Sequence, residues 1–138
     1  MSFLLDTNAI SEWQKPLPNP GITEWMNSVD EDQLFLSVVT LAELRYGIER
    51  MAPGNRRRRY EQWLGYEMPL RFEDRILSVN PVIADAWGGI VALCASTGRP
   101  ISGIDGFLAA TAQVHSLTLV TRNVRHFTVL KTVFNPWT

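Results

Sequence analysis

Three acidic residues stand far apart in the chain, each at a boundary between an apolar segment and a helix-like one. Asp6 follows the apolar run 3–5, Glu43 comes after the run 34–39, and Asp105 opens a helix-like segment. In a chain that alternates strands and helices, such positions meet at the carboxyl edge of one sheet, where α/β proteins bind their ligands. Carboxylate oxygens are the ligands that hard cations such as Mg²⁺ prefer. The pattern therefore predicts a metal site, and a metal site of this type favours hydrolysis.

The strands and helices that must position these acids follow from the apolar pattern and from its Pro and Gly breaks. The predicted strands are Phe3–Leu5, Leu34–Ser37, Arg75–Val79, Leu117–Thr121 and, as a fifth, Lys131–Phe134. The predicted helices run from Thr7 to about Trp13 and over Ile22–Ser28, Thr40–Met51, Asn55–Glu67, Pro81–Ser96 and Ser102–His115. Strands separated by helices indicate an α/β/α sandwich around a central, mainly parallel sheet of four to five strands. We expect one domain over residues 1–138.

The composition limits the classes of partner and compartment. The formal net charge of −1 leaves no overall basic field, so binding to nucleic acid must rely on a local patch. The single cysteine, Cys94, excludes an internal disulfide and favours a reducing compartment. The sequence has neither an apolar stretch of membrane-spanning length nor a basic, apolar, cleavable start. We therefore expect a cytoplasmic protein without a membrane partner.

Each acid also has a purely structural interpretation as a helix cap. Asp6 could be the N-cap of the helix that follows it. Thr40 and Glu43 have the spacing of a capping box, and so do Ser102 and Asp105. Caps alone do not require three such acids in one chain, nor the hydroxyl and amide side chains that directly follow the first. The metal-site interpretation is thus favoured for the three acids taken together.

Four segments, in order along nearly the whole chain, resemble those of a known nuclease family. They are Leu5-Asp-Thr-Asn-Ala-Ile-Ser-Glu12, Ser37-Val-Val-Thr-Leu-Ala-Glu-Leu44, Ile104-Asp-Gly-Phe-Leu-Ala-Ala-Thr-Ala112 and Leu119-Val-Thr-Arg-Asn123, and the ending Val133-Phe-Asn-Pro-Trp137 also fits. The chain resembles the PIN-domain ribonucleases that serve as toxins in type II toxin–antitoxin pairs, the VapC/FitB group. The resemblance implies a PIN-like fold and a metal-dependent endoribonuclease that is held inactive by a cognate antitoxin.

On this resemblance, Asp6, Glu43 and Asp105 fall on the family's acidic metal-site positions. Asp6 and Asp105 are the expected principal ligands of Mg²⁺, for which Mn²⁺ can substitute, and Glu43 is expected to bind through water or to orient the attacking water. The fourth position departs from the family pattern, because Asn123 and, three residues later, His126 stand where members carry an Asp. We expect Asn123 to offer a carbonyl oxygen or a hydrogen bond, and we expect one firmly held metal rather than two.

The resemblance also implies the substrate and the partners. The substrate is expected to be RNA, held near the acids by Thr7, Asn8, Thr121 and Arg122, and cut to leave a 5′-phosphate and a 3′-hydroxyl. The expected partners are a cognate antitoxin and a second copy of the chain in a homodimer. These are expected to form a larger complex that binds operator DNA through the antitoxin.

Two further features have several interpretations. His126 could shuttle a proton near neutral pH, although an exposed histidine in a turn is the more frequent case. The arginines 56–59, followed by Tyr60 and Trp63, could grip RNA by phosphate contacts and base stacking. The same arginines could instead form a solvated helix face or a contact for the antitoxin.

Rival classes fit the residues less well. A phospho-receiver domain carries an acid pair after its first strand, and a haloacid-dehalogenase-like phosphatase carries Asp-x-Asp there, whereas this chain has Asn8. A PIN-like domain that binds RNA or a partner without cutting remains a second hypothesis, because the fourth acid is absent.

Overall fold

A five-stranded parallel sheet forms the centre of the protein in the computed structural model, which describes residues 1–138. Its strands are β1 (Phe3–Leu5), β2 (Leu34–Ser37), β3 (Ile76–Leu77), β4 (Thr118–Val120) and β5 (Val133–Phe134). They lie in the order β3-β2-β1-β4-β5, and every neighbouring pair is parallel. The predicted α/β/α class is confirmed, and the fifth predicted strand forms.

Seven α-helices connect the strands and cover the sheet. They are α1 (Thr7–Ser11), α2 (Pro20–Ser28), α3 (Val38–Glu49), α4 (Asn55–Gln62), α5 (Met68–Arg71), α6 (Pro81–Ser96) and α7 (Gly103–Val114). Short 3₁₀ helices lie at Glu12–Gln14, Glu31–Gln33 and Val124–Phe127. The first continues α1 over the helix predicted to about Trp13, and the other two were not predicted. None of the helices combines the length and the apolar character needed to cross a bilayer.

Alternate residues of the central strands point to two separate hydrophobic cores. Leu5 and Val120 pack with α1 to α5, whereas Leu4 and Leu119 pack with α6 and α7 on the other face. Successive side chains of a strand point to opposite faces, so an apolar run such as Phe3–Leu5 must be covered by helices on both sides. The short apolar strands therefore require the three-layer arrangement that is observed.

The helix predicted over residues 55–67 continues further than expected, and Pro69 explains its shape. A proline inside a helix has no N–H to donate and crowds the carbonyl four residues earlier. Here the backbone widens into one π-helical stretch at Trp63–Glu67, where the N–H of Met68 donates to the carbonyl of Trp63. The widened turn lets the chain continue into α5 instead of ending at Glu67.

The strand order places a crevice between β1 and β4. The chain moves from β1 outward through β2 to β3, and later returns to the other side of β1 to form β4 and then β5. Such a reversal of strand order leaves a gap at the carboxyl edge where the helices diverge, and α/β proteins bind ligands there. Asp6 follows β1 and Thr121 follows β4, so both residues lie at this crevice.

Candidate active site

Asp6 is a buried carboxylate held by hydrogen bonds on both oxygens. Its side chain is the N-cap of α1, and Oδ1 accepts from the N–H of Thr7 at 2.7 Å. Oδ2 accepts from the hydroxyl of Thr121 at 2.7 Å and from Nδ2 of Asn8 at 3.4 Å. The cap interpretation is therefore correct for Asp6, but the contact from Thr121, across the crevice, is not needed for capping.

Asn8 and Thr121 join the turn after β1 to the loop after β4. The carbonyl oxygen of the Asn8 side chain accepts from the N–H of Arg122 at 3.3 Å, and its Nδ2 lies 3.5 Å from the Thr121 hydroxyl. That hydroxyl also accepts from the N–H of Asn123 at 3.0 Å. Two of the predicted substrate residues, Asn8 and Thr121, therefore hold the two loops of the site together. The Arg122 side chain is exposed and forms no ion pair.

Glu43 reaches the same region from the second turn of α3, not from a strand exit. Helix α3 begins at Val38 and is capped by Ser37, whose hydroxyl accepts from the N–H of Val39 at 3.1 Å. The capping-box interpretation of Thr40 and Glu43 is therefore wrong, because both residues lie inside the helix. Oε1 of Glu43 instead accepts from the hydroxyl of Thr7 at 2.5 Å.

Asp105 lies in the first turn of α7, and this helix follows α6 rather than a strand. Glu43 and Asp105 therefore lie in the early turns of helices, as the predicted helices Thr40–Met51 and Ser102–His115 imply, whereas Asp6 directly follows a strand. Asp105 still reaches the carboxyl edge, because a helix that leads directly into β4 runs antiparallel to it and starts beyond the strand's carboxyl end. Ser102 caps α7 by accepting from the N–H of Asp105 at 3.1 Å. The carboxylate does not return that hydrogen bond, and its Oδ2 lies 3.2 Å from Nδ1 of His126.

Electrostatics shows that the three acids share one site. The pKa of Asp6 is raised above its ordinary value of 3.8, first by burial and then by the negative charges of Asp105 and Glu43. Hydrogen bonds from Thr121 and Thr7 oppose this rise, because they favour the charged form. The fold thus brings together three acids from separate elements, as predicted, around a carboxylate that is costly to ionise.

The hydroxyl of Thr121 offers a direct test of this balance. We expect Thr121→Val to destabilise the protein by about 1–3 kcal/mol at neutral pH, because a buried carboxylate loses its donor. It should also raise the pKa of Asp6 further. A folded-state pKa above the unfolded one makes stability fall as pH rises through that window. The cost of the substitution should therefore shrink as pH falls through the raised folded-state pKa of Asp6, and it should be smallest near and below pH 3.8. Urea unfolding at several pH values measures this dependence.

Thr111→Val is the matched control for this prediction. Thr111 is also buried, but its hydroxyl donates to the carbonyl of Phe107 in its own helix. Its cost should be small and independent of pH. An equal and pH-independent loss in both variants would mean that Thr121 acts only through packing.

The donors of this site suit a hard cation. Carboxylate, hydroxyl and amide oxygens surround Asp6, and mutually repelling acids bind a cation favourably. No three His, Cys, Asp or Glu side chains in the chain converge closely enough to hold an ion between them. Mg²⁺ retains several waters and needs only one or two carboxylates. The site therefore fits an ion held by two acids and by water, not one enclosed by three direct ligands.

Comparison with known proteins defines the family. A PIN domain profile matches residues 3–131 of the chain. The chain belongs to the PIN domain family. It is 36% identical over 136 residues to Toxin FitB of Neisseria gonorrhoeae, covering 98% of each protein. It is 32% identical over 136 residues to VapC ribonuclease Y4jK of Sinorhizobium fredii, covering 98% of this chain and 97% of that one.

The three-dimensional comparison agrees with the sequence comparison. A solved structure described as FitAB bound to an IR36 DNA fragment superposes with a TM-score of 0.92 and 34% identity, covering 99% of this chain and 96% of that one. The predicted resemblance to PIN-domain toxins of the FitB/VapC group is confirmed. The range that matches the PIN domain, residues 3–131, includes Asp6, Glu43 and Asp105.

This PIN domain has no acid at the fourth position of the site, where Asn123 and His126 stand. The side chain of Asn123 is exposed and makes no hydrogen bond within the protein. Its backbone N–H donates to the hydroxyl of Thr121, and its backbone carbonyl accepts from the N–H of His126 at 3.0 Å. His126 is exposed, as a turn histidine would be, but its ring contacts Asp105. The expected role of Asn123 stays a prediction. Of the two residues, only His126 contacts one of the three acids, Asp105.

The arginine run of α4 is mostly occupied by local contacts. Arg57 bonds to the carboxylate of Glu49 and the carbonyl of Met51, Arg58 donates to Asn55, and Arg56 lies over the ring of Tyr60. This pattern favours the solvated helix face among the three interpretations.

Two other arginines near the acids were missed by sequence reasoning. Arg99 and Arg125 are isolated from the acids in the sequence, and both line a cleft together with Asp105. No local signal marks them, because only the turn between α6 and α7 and the segment after β4 bring them together.

Proposed function

We propose that this PIN domain is a Mg²⁺-dependent endoribonuclease and the toxin of a type II toxin–antitoxin pair. The observation that carries the proposal is Asp6, a buried carboxylate whose pKa is raised by burial and by the charges of Asp105 and Glu43. Such a cluster gains most from a bound divalent cation, because the cation relieves the repulsion among the acids. The similarity to Toxin FitB and to VapC ribonuclease Y4jK supports the same function.

Each residue then has a defined part in hydrolysis. When bound, Mg²⁺ supplies a Lewis acid for the scissile phosphate and lowers the pKa of coordinated water. Asp6 and Asp105 would hold the ion, Asp6 with a carboxylate that Thr121 already orients. Glu43, whose carboxylate is oriented by Thr7, would accept a hydrogen bond and then a proton from the attacking water.

The reaction is a simple phosphodiester hydrolysis. The water oxygen bonds to phosphorus, the bond from phosphorus to the 3′-oxygen breaks, and that oxygen takes up a proton. The products carry a 5′-phosphate and a 3′-hydroxyl. Arg122, exposed beside the site and free of ion pairs, would contact a phosphate, and Asn8 fixes the backbone at this position.

The proposed partners follow from the relatives. The FitAB structure bound to DNA contains a chain that aligns with 99% of this one, which supports a cognate antitoxin and a larger DNA-binding complex. A homodimer is the proposed form of the toxin. Co-expression with the protein encoded beside it, followed by size-exclusion chromatography with light scattering, tests both assemblies.

The absence of an acid at the fourth position of the site favours a second function. Because Asn123 and His126 replace the acid there, a PIN domain that binds RNA without cutting it is a consistent alternative. The two functions differ in one measurable property, the appearance of new RNA ends.

The test uses the purified full chain, free of antitoxin, and end-labelled structured RNA. We expect cleavage in Mg²⁺, none in EDTA, and recovery when Mg²⁺ is restored in excess; Mn²⁺ should substitute. Cleavage that persists in EDTA would exclude the metal mechanism. Binding of RNA without new ends, across a panel that includes tRNA and ribosomal RNA, would support the alternative.

A further inference from the structure

A cleft of about 500 Å³ opens beside Asp105, on the side away from the arginine run of α4. It lies between the turn that joins α6 to α7 and the 3₁₀ helix after β4. Its polar lining includes Arg99, Ser102, Arg125, His126 and Thr128, together with Asp105. We propose that this cleft binds the phosphate group next to the scissile phosphate along the same RNA strand. Arg99 and Arg125 would make the contacts with that phosphate. The proposal rests on the nuclease function proposed above.

The charges of the cleft favour an anion. Arg99 and Arg125 are exposed, and neither forms an ion pair or a side-chain hydrogen bond within the protein, although Asp105 lines the same cleft. The formal charges of the two arginines and Asp105 sum to +1, in a chain whose formal net charge is −1. A local positive site on a slightly acidic protein is the feature that RNA binding requires here.

Local contacts fix the backbone segments that carry both arginines. Helix α6 ends at Ser96, and Gly98, two residues later, has a φ of +73° in the left-handed region. The N–H of Arg99 then donates to the carbonyl of Cys94 at 2.9 Å. This C-terminal motif fixes the direction in which the chain leaves the helix. Arg125 lies in the 3₁₀ helix that is anchored by the buried Phe127. Two anchored segments therefore present unpaired guanidinium groups to one cleft.

The position relative to the acids defines what the cleft would bind. Asp105 belongs both to the acid site and to the cleft wall, so a strand whose scissile phosphate lies at the acids continues directly into the cleft. Guanidinium groups bind phosphate oxygens bidentately, and these contacts carry no base specificity. The cleft would thus set the path and register of the RNA strand, not the sequence that is cut.

The experiment measures binding of a fluorescein-labelled single-stranded RNA of random sequence to the full chain in EDTA, over a range of KCl. We expect Arg99→Ala/Arg125→Ala to weaken binding by about tenfold or more at moderate salt. Losing two phosphate contacts should reduce the slope of log K against log salt by about 1.4. Arg99→Lys/Arg125→Lys should keep most of the slope but lose part of the affinity, because lysine retains only the charge.

Arg58→Ala/Arg59→Ala is the matched control, because it removes two positive charges from the rival arginine run on α4. We expect it to change the slope far less. Equal losses in the two double mutants, or no loss in the cleft variant, would overturn the proposal, as would a wild-type chain that binds no RNA. Thermal melting checks folding, and the exposed cleft arginines should leave the melting temperature nearly unchanged.

The outcomes separate this cleft from the nuclease function. If the wild type cleaves RNA in Mg²⁺ and the cleft variant binds and cleaves equally well, only the cleft proposal fails. If the wild type binds through Arg99 and Arg125 but never cleaves, only the nuclease function fails. If the variant keeps RNA binding but no longer forms the complex with the antitoxin, the cleft is a protein interface and the RNA proposal is wrong.

Discussion

Replacing Asp6 with Asn is expected to reduce RNA cleavage by at least about a hundredfold while leaving the protein as stable as the wild type, or more so. The loss of activity follows because the variant cannot supply the central charge that holds the cation. The retained stability follows from the pKa of Asp6, which burial and the neighbouring acids raise. At neutral pH the wild type must keep this carboxylate charged at a cost, and the amide removes that cost.

Three measurements on one preparation check this prediction. Initial cleavage rates in Mg²⁺ give the activity, urea unfolding in EDTA gives the stability, and melting with and without Mg²⁺ gives the linkage to metal. Mg²⁺ should raise the melting temperature of the wild type, because a ligand that binds only the folded state stabilises it. The same addition should have little effect on the Asn variant. Asp105→Asn should also lose activity.

Asp85→Asn is the control, because Asp85 is exposed on α6 and its side chain makes no ion pair or hydrogen bond. It removes the same formal charge and should change neither activity nor the effect of Mg²⁺. Full activity in the Asp6 variant would remove this carboxylate from the mechanism. A large loss of stability would instead show that its hydrogen bonds with Thr7 and Thr121 outweigh its burial cost.

Gly106→Ala is expected to destabilise the protein by about 1–3 kcal/mol and to lower activity with it. A Cβ at this position would lie 2.8 Å from Nε1 of Trp87 and 3.0 Å from Cγ2 of Val91. Neither side chain can move easily, because Trp87 donates to the carbonyl of Gly103 and stacks on Phe107, while Val91 is β-branched. Helices α6 and α7 must therefore move apart. Asp105, adjacent to Gly106, would shift with α7 relative to the other acids.

Gly89→Ala serves as the comparison, because a Cβ at Gly89 would meet nothing within 4 Å. The same substitution in the interior of α6 should stabilise the protein by about 0.5–1 kcal/mol, the usual gain of Ala over Gly in a helix. Urea unfolding measures both changes. A gain in stability for both variants would show that the contact between α6 and α7 can yield without cost, and cleavage rates would then be unaffected as well.

Much of the fold follows from short-range patterns in the sequence. The runs Phe3–Leu5 and Leu34–Ser37 are confirmed as strands, and α6 forms over Pro81–Ser96, because proline and asparagine mark its start. The 3₁₀ segments Glu31–Gln33 and Val124–Phe127 and the continuation through Pro69 were not predicted. Their backbone depends on neighbouring contacts, and proline in isolation indicates that a helix ends.

The candidate site also has features that follow from the sequence and features that depend on the tertiary structure. The sequence by itself determined the acid types, their order and the resemblance that groups them, since these are properties of residues and their neighbours along the chain. Only the tertiary structure decided that Thr7 donates to Glu43, that Thr121 donates to Asp6, and that His126 contacts Asp105. Only folding likewise brings Arg99 and Arg125 to one cleft. The physical reason is that hydrogen bonds and charge interactions depend on distances of a few ångströms between segments separated by up to 115 residues, and the strand order sets those distances.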